Sequence, residues 1–174
     1  DYFAACETVE GGYTVGWKIV DGVFAAQAAA SSISLLTSKT GATNPAEDWA
    51  DYAIDADVCL GYGDSAAGFI AHADGDNYYE LRLAPTGVSL YQIAGETETE
   101  LQSRKMELTP DNWYFTKLEV DGDGSILRAY IDSVIVLEVE LSSGAYTKGT
   151  MGLKVDGQAQ FDNLAVYPVE LSDS

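Results

Sequence analysis

Five polar and aromatic side chains lie close together in one short stretch: His72, Asn77, Tyr78, Glu80 and Arg82. Together they offer an imidazole, an amide, a phenol, a carboxylate and a guanidinium. Such a set can make paired hydrogen bonds to a polar ligand while presenting an aromatic ring to its apolar surface. Two strands must position them. Ala67 to Leu83 reads as an antiparallel pair: Gly68 to His72, then Tyr78 to Leu83, around an Asp74-Gly75-Asp76-Asn77 turn. Side chains alternate across a strand, so Tyr79, Leu81 and Leu83 share a core face. Tyr78, Glu80 and Arg82 share the opposite one, either a ligand surface or an ordinary solvated face. Asp57, on a neighbouring alternating segment, is expected on the same polar side.

The chain has 174 residues, enough for one domain with a sizeable core, and 1–174 is read as that single domain. Hydrophobic residues make up 47 % and charged residues 21 %, an ordinary globular balance rather than a disordered one. The formal charge of −19 repels phosphate backbones and anionic membrane surfaces, so neither nucleic acid nor membrane is expected as a partner. No apolar run approaches the roughly 20 residues that span a bilayer. The start at Asp1, without a signal peptide, suggests a mature or excised segment of a larger protein. Two cysteines, Cys6 and Cys59, are too few for a disulfide scaffold, and whether they form one bridge is left open.

Along the chain, alternation recurs. Tyr52, Ile54, Ala56, Val58 and Leu60 point one way, with Asp55, Asp57 and Cys59 opposite. Strands are also expected at 13–20, 23–27, 32–37, 88–93, 113–120, 126–131, 134–141, 149–155 and 160–167. Asp21-Gly22, Asp132-Ser133 and Asp156-Gly157 read as tight turns. The acidic run from Glu96 to Glu100 reads as a solvated loop or edge. Asp121-Gly-Asp-Gly-Ser125 begins like a calcium-binding loop, but Ile126 stands where that loop needs glycine and the flanks are strands. It is a hairpin turn. About a dozen short strands with Gly and Asp turns, and no convincing helix, give an all-β fold: a two-sheet antiparallel β-sandwich.

Ordered landmarks run through nearly the whole chain: Trp17-Lys-Ile-Val-Asp-Gly22, Trp49-Ala-Asp-Tyr-Ala-Ile-Asp-Ala-Asp-Val58, Ala67-Gly-Phe-Ile70, Asn77-Tyr-Tyr79, Trp113 to Val120, Ala129-Tyr-Ile-Asp132, Gly149-Thr-Met-Gly-Leu153 and Phe161-Asp-Asn-Leu164. This order resembles the concanavalin A-like (LamG-like) jelly-roll domains, and among them the family-66 type of carbohydrate-binding module found on bacterial glycoside hydrolases. The resemblance implies a non-catalytic module, secreted or displayed at the cell surface. It would bind a polysaccharide or oligosaccharide and be covalently attached to a catalytic domain. It also implies a structural calcium where the first and last strands meet, with Glu7 and Asp162 at the matching positions. It further implies that Trp17, Trp49 and Trp113 are core or strand-start aromatics.

Three function classes are open to such a chain. Sugar binding fits His72, Asn77, Tyr78, Glu80, Arg82 and Asp57, because sugars present hydroxyls to such groups and C–H faces to rings. Glycoside hydrolysis needs two carboxylates about 5–9 Å apart across the sugar. Asp55 with Asp57, or Glu138 with Glu140, are the available pairs, but the Glu-x-Asp-x-x-Glu strand signature of laminarinase-like enzymes of this fold is absent. An adhesive or structural domain binding a protein partner is the alternative to sugar binding.

Overall fold

The structure, a computed structural model, describes residues 7–8, 16–20, 23–35, 48–142 and 146–169. Among these described residues there are twelve strands: β1 (Glu7–Thr8), β2 (Gly16–Val20), β3 (Val23–Leu35), β4 (Tyr52–Leu60), β5 (Ala66–Asp74), β6 (Asn77–Ala84), β7 (Gly87–Ala94), β8 (Thr97–Lys105), β9 (Trp113–Asp121), β10 (Ile126–Ile131), β11 (Val134–Glu140) and β12 (Thr150–Pro168). Their pairings are antiparallel, and the main path runs β11-β10-β9-β4-β12-β5-β6-β7-β8, with β3 also on β12.

The spine is β12. Its first half, Thr150 to Asp156, pairs with β5, and its second half, Ala159 to Pro168, pairs with β4. Gly157 lies between, at φ 88°, where the register with β3 shifts. The Asp156-Gly157 turn expected from sequence is therefore a bulge inside one continuous strand. Glycine accepts the positive φ, and a bulge uses that freedom as readily as a hairpin does. A side chain at 157 would also meet Ser65, whose Oγ lies 2.7 Å from the Cβ position.

The sheet curls over one core. Tyr52, Ile54, Ala56, Val58 and Leu60 of β4 meet Phe69 of β5, Tyr79, Leu81 and Leu83 of β6, Leu118 and Val120 of β9, and Leu153 and Phe161 of β12. The alternation predicts those faces, because burying every second residue is how a strand removes apolar surface from water. The two ends of the path approach each other: the Glu138 N–H on β11 donates to Gln102 Oε1 on β8 at 2.9 Å. The acidic run is part of β8, an exposed edge strand rich in charge, which blunts further pairing. Asp132-Ser133 is the expected tight turn, with φ 49° and 68°.

Cys59 is buried with a free thiol, while Cys6 lies outside the described residues. The Asp21-Gly22 turn and the loop before Trp49 lie outside them as well.

Candidate functional site

Strand register builds the polar face of β6. Lys154 of β12, Gly68 of β5, Arg82 of β6 and Ser89 of β7 form one row across the sheet. Ile70, Glu80 and Tyr91 form the next. Position 68 of that row carries no side chain, and the cations on either side of it both reach the Glu80 carboxylate of the adjacent row. Arg82 Nε donates to Glu80 Oε2 at 2.6 Å, and Lys154 Nζ meets Oε1. Arg82 Nη2 continues to Glu98 Oε1 at 2.9 Å, and its guanidinium lies 4.1 Å from the centroid of the Tyr91 ring. The Lys154 ammonium donates to the Tyr78 hydroxyl at 3.3 Å.

This face is not merely solvated. Glu80 is 2 % exposed and Lys154 7 %, and Tyr78 packs into a small apolar cluster with Ile70, Ala73 and Ile93. A carboxylate held this deep needs its cations, since an isolated buried charge is very costly. Burial pulls the Lys154 ammonium down, but the Glu80 charge and hydrogen bond outweigh it and raise its pKa above the ordinary value. Burial also raises the Tyr78 phenol. The Arg82 hydrogen bond holds the Glu98 carboxyl below the usual range.

The other expected contacts separate. Asn77 is exposed at the start of β6, five residues from Arg82 and on the alternate side of the strand from Tyr78, Glu80 and Arg82. His72 does not join them. Its φ is 50°, at a register shift between Ala71 and Asp74, and the bulge turns its ring into the interior. There Nδ1 lies 2.9 Å from the Tyr146 carbonyl oxygen and Nε2 2.9 Å from that of Ala50. Its N–H donates to the Tyr52 hydroxyl at 2.8 Å. His72 is a core strut, and simple alternation misses it because a bulge resets the period. Asp57 belongs elsewhere too. It sits on β4 opposite Phe115 and Asp162, and its Oδ2 accepts from Asn163 Nδ2 at 2.8 Å. The residue that sequence patterns do not reveal is Lys154, whose partner across Gly68 is visible only in the register.

The registers separate Glu7 from Asp162 along β12. The registers put Glu7 opposite Ile33, and Ile33 opposite Lys154. Asp162 is eight residues farther along β12, about 26 Å at a strand's rise per residue. The Asp162 carboxylate instead accepts the Asn163 N–H at 2.8 Å. Among the described residues, no three His, Cys, Asp or Glu side chains gather as a cation would need.

A second polar face lies on β9, β10, β4 and the end of β12. Arg128 pairs with Glu119 at 3.1 Å, Asp121 at 2.9 Å and Glu138 at 2.7 Å. Lys117 pairs with Glu119 at 2.8 Å. The Tyr167 hydroxyl donates to Asp55 Oδ2 at 2.7 Å. Trp113, expected to be covered, is 43 % exposed at the start of β9.

No protein-family model matches the chain, and no curated protein matches its sequence. Solved structures do match its shape. A carbohydrate binding module, CBM66, from Bacillus subtilis superposes with a TM-score of 0.74 at 18 % identity, over 88 % of this chain and 91 % of that one. A galectin from Caenorhabditis elegans gives 0.57 at 10 % identity, over 75 % and 93 %. A xylan β-1,4-xylosidase from Bacillus halodurans gives 0.62 at 11 % identity, over 87 % of this chain and 34 % of that one. The chain has the concanavalin A-like fold of these β-sandwich domains.

Proposed function

We propose that this chain is a non-catalytic carbohydrate-binding module, folded as two packed antiparallel sheets that share β12. The observation that carries the reading is the Glu80 carboxylate clamped between Arg82 and Lys154 on the sheet face opposite the main core, with Arg82 and Glu98 reaching solvent at its edge. A charge network of this kind fixes Arg82, Glu98 and Tyr91 in place before a ligand arrives, so little side-chain entropy is lost on binding. Arg82, Glu98 and Tyr91 are the groups offered to sugar hydroxyls. The similarity in fold to CBM66 supports the same reading. Affinity is modest, since each hydrogen bond to sugar replaces one to water. The module is secreted or at the cell surface and tethers an attached glycoside hydrolase to polysaccharide.

Catalysis is disfavoured by the state of the carboxylate pairs. Asp55 is bonded to Tyr167, Asp57 to Asn163 and Glu138 to Arg128, so each is committed within the face. The test is binding to a panel of uncharged plant and bacterial polysaccharides and short oligosaccharides, wild type beside Arg82→Ala. Saturable binding that falls at least about tenfold in Arg82→Ala supports the module and its site. A folded wild type that binds no glycan would sink the reading in favour of a protein partner.

A further inference from the structure

We propose that the outward face of β9, β10, β4 and the end of β12 is a second carbohydrate surface, one that follows an uncharged polysaccharide chain. This inference rests on the carbohydrate-binding reading above and adds to it a separate contact region.

Register lays the surface out in rows. Ala165, Asp55, Lys117 and Tyr130 make one, and Asp162, Asp57 and Phe115 the next. Cys59 and Trp113 come after them. Tyr167 and Glu119 flank Ala53 on the other side. Aromatic rings therefore recur along the strands rather than at one point. The Lys117 ammonium lies 4.7 Å from the Tyr130 ring centroid and 5.8 Å from that of Tyr167, so it sits between two phenols. Trp113 stands four residues back on β9, about 13 Å away along the strand. Tyr167 is 36 % exposed. Beneath them Asp55, 9 % exposed, anchors the Tyr167 hydroxyl.

The charge pattern selects the occupant. Lys117 is paired with Glu119, and Arg128 with Glu119, Asp121 and Glu138, so both cations already hold a counter-charge that an anionic ligand would have to displace. The net charge of −19 repels it further. The cores of protein interfaces are depleted of Lys and Glu, whereas Lys117 and Glu119 stand at the centre of this face. Rings for C–H faces, with fixed carboxylate oxygens between them, match a neutral polyhydroxylated chain. The length of the row suits several sugar units rather than one.

Two surfaces on one module act on a polymer by avidity and leave a short ligand nearly untouched. The experiment compares wild type, Arg82→Ala, the Tyr130→Ala/Tyr167→Ala double variant and Trp113→Ala. Each is assayed against cellulose, xylan, mannan, β-glucan and fructan, and against their short oligosaccharides, with folding checked by thermal unfolding. The double variant is expected to lose at least about tenfold in polymer affinity while keeping its oligosaccharide affinity. Trp113→Ala, at an exposed position, is expected to show a smaller loss in the same direction. It decides the matter if the double variant does not fold. Polymer affinity unchanged in the folded variants, with Arg82→Ala still weakened, would overturn the second surface and leave the first. No retention of wild type on any glycan would overturn both.

Discussion

The two polar faces are built from the same parts and work differently. On the β5–β6–β7 side, two cations converge over a glycine on one carboxylate, which is all but removed from water. On the β9–β10 side, two cations are spread among several carboxylates that remain partly solvated. Both faces alternate with core residues in the same way, so pattern alone does not separate them. The difference lies in the neighbours. Gly68 lets Lys154 lean across β5, whereas the second face has side chains at every crossing of its rows. Coulombic attraction strengthens as water is excluded, and the cost of losing a partner grows with it.

The sharpest test of this contrast is Gly68→Ala. A Cβ there would overlap the Leu81 carbonyl oxygen, a backbone atom that cannot move without opening the β5–β6 ladder. The expected loss is on the order of 4 kcal/mol or outright unfolding, read as the denaturation midpoint. A variant as stable as wild type would show that β5 and β6 are not so closely apposed.

Next comes the pair Lys154→Met and Arg128→Ala. Removing Lys154 leaves Glu80 buried with one cation, and should cost about 3 kcal/mol in chemical denaturation. Removing Arg128 breaks three partly exposed pairs and should cost about 1 kcal/mol or less. Equal costs would erase the distinction between the faces.

Acid acts on the β9–β10 face through its carboxylates. Burial pushes the Glu119 carboxyl up, but Lys117 and Arg128 outweigh it and hold it below its usual 4.5. The Arg128 hydrogen bond also holds Asp121 low. The unfolded chain therefore takes up protons at higher pH than the folded one. Stability from these groups is complete above about pH 4.5 and declines as pH falls through the lower folded values. Thermal unfolding across pH 5 to 2 should show a shallower decline in Arg128→Ala than in wild type, and identical slopes would refute the assignment. The smallest expected effect is Tyr130→Phe, which removes a 3.3 Å contact between its hydroxyl and Glu119 Oε1. Stability should change by less than about 1 kcal/mol.

Several particulars are legible from sequence for plain reasons. Tyr52 to Leu60 and Tyr78 to Leu83 alternate in residue type, so their periods state which side meets the main core, although the residues between are largely buried as well. Asp132-Ser133 announces a turn because Asp tolerates positive φ and both side chains can hydrogen-bond the local backbone. The polar face of β6 is legible to the extent that Tyr78, Glu80 and Arg82 share it. The place of His72 is not, because one bulge reverses the facing of the residues beyond it, and a bulge of ordinary residues leaves no mark in the period. Asp156-Gly157 misleads in the opposite sense: the glycine is visible, but not the use made of it.

By itself, then, the sequence determined most of the strands, though neither β8 nor the continuity of β3 and β12, together with the faces turned to the main core and the acidic surface, since these depend on near neighbours in the chain. Long-range packing sets the rest: that Lys154 reaches Glu80, that Asp57 and Asp162 lie beside each other far along β12 from Glu7, and that Trp113 stands exposed. Those facts are set by register between strands distant in sequence, and register is fixed by the packing of the whole core rather than by any local pattern.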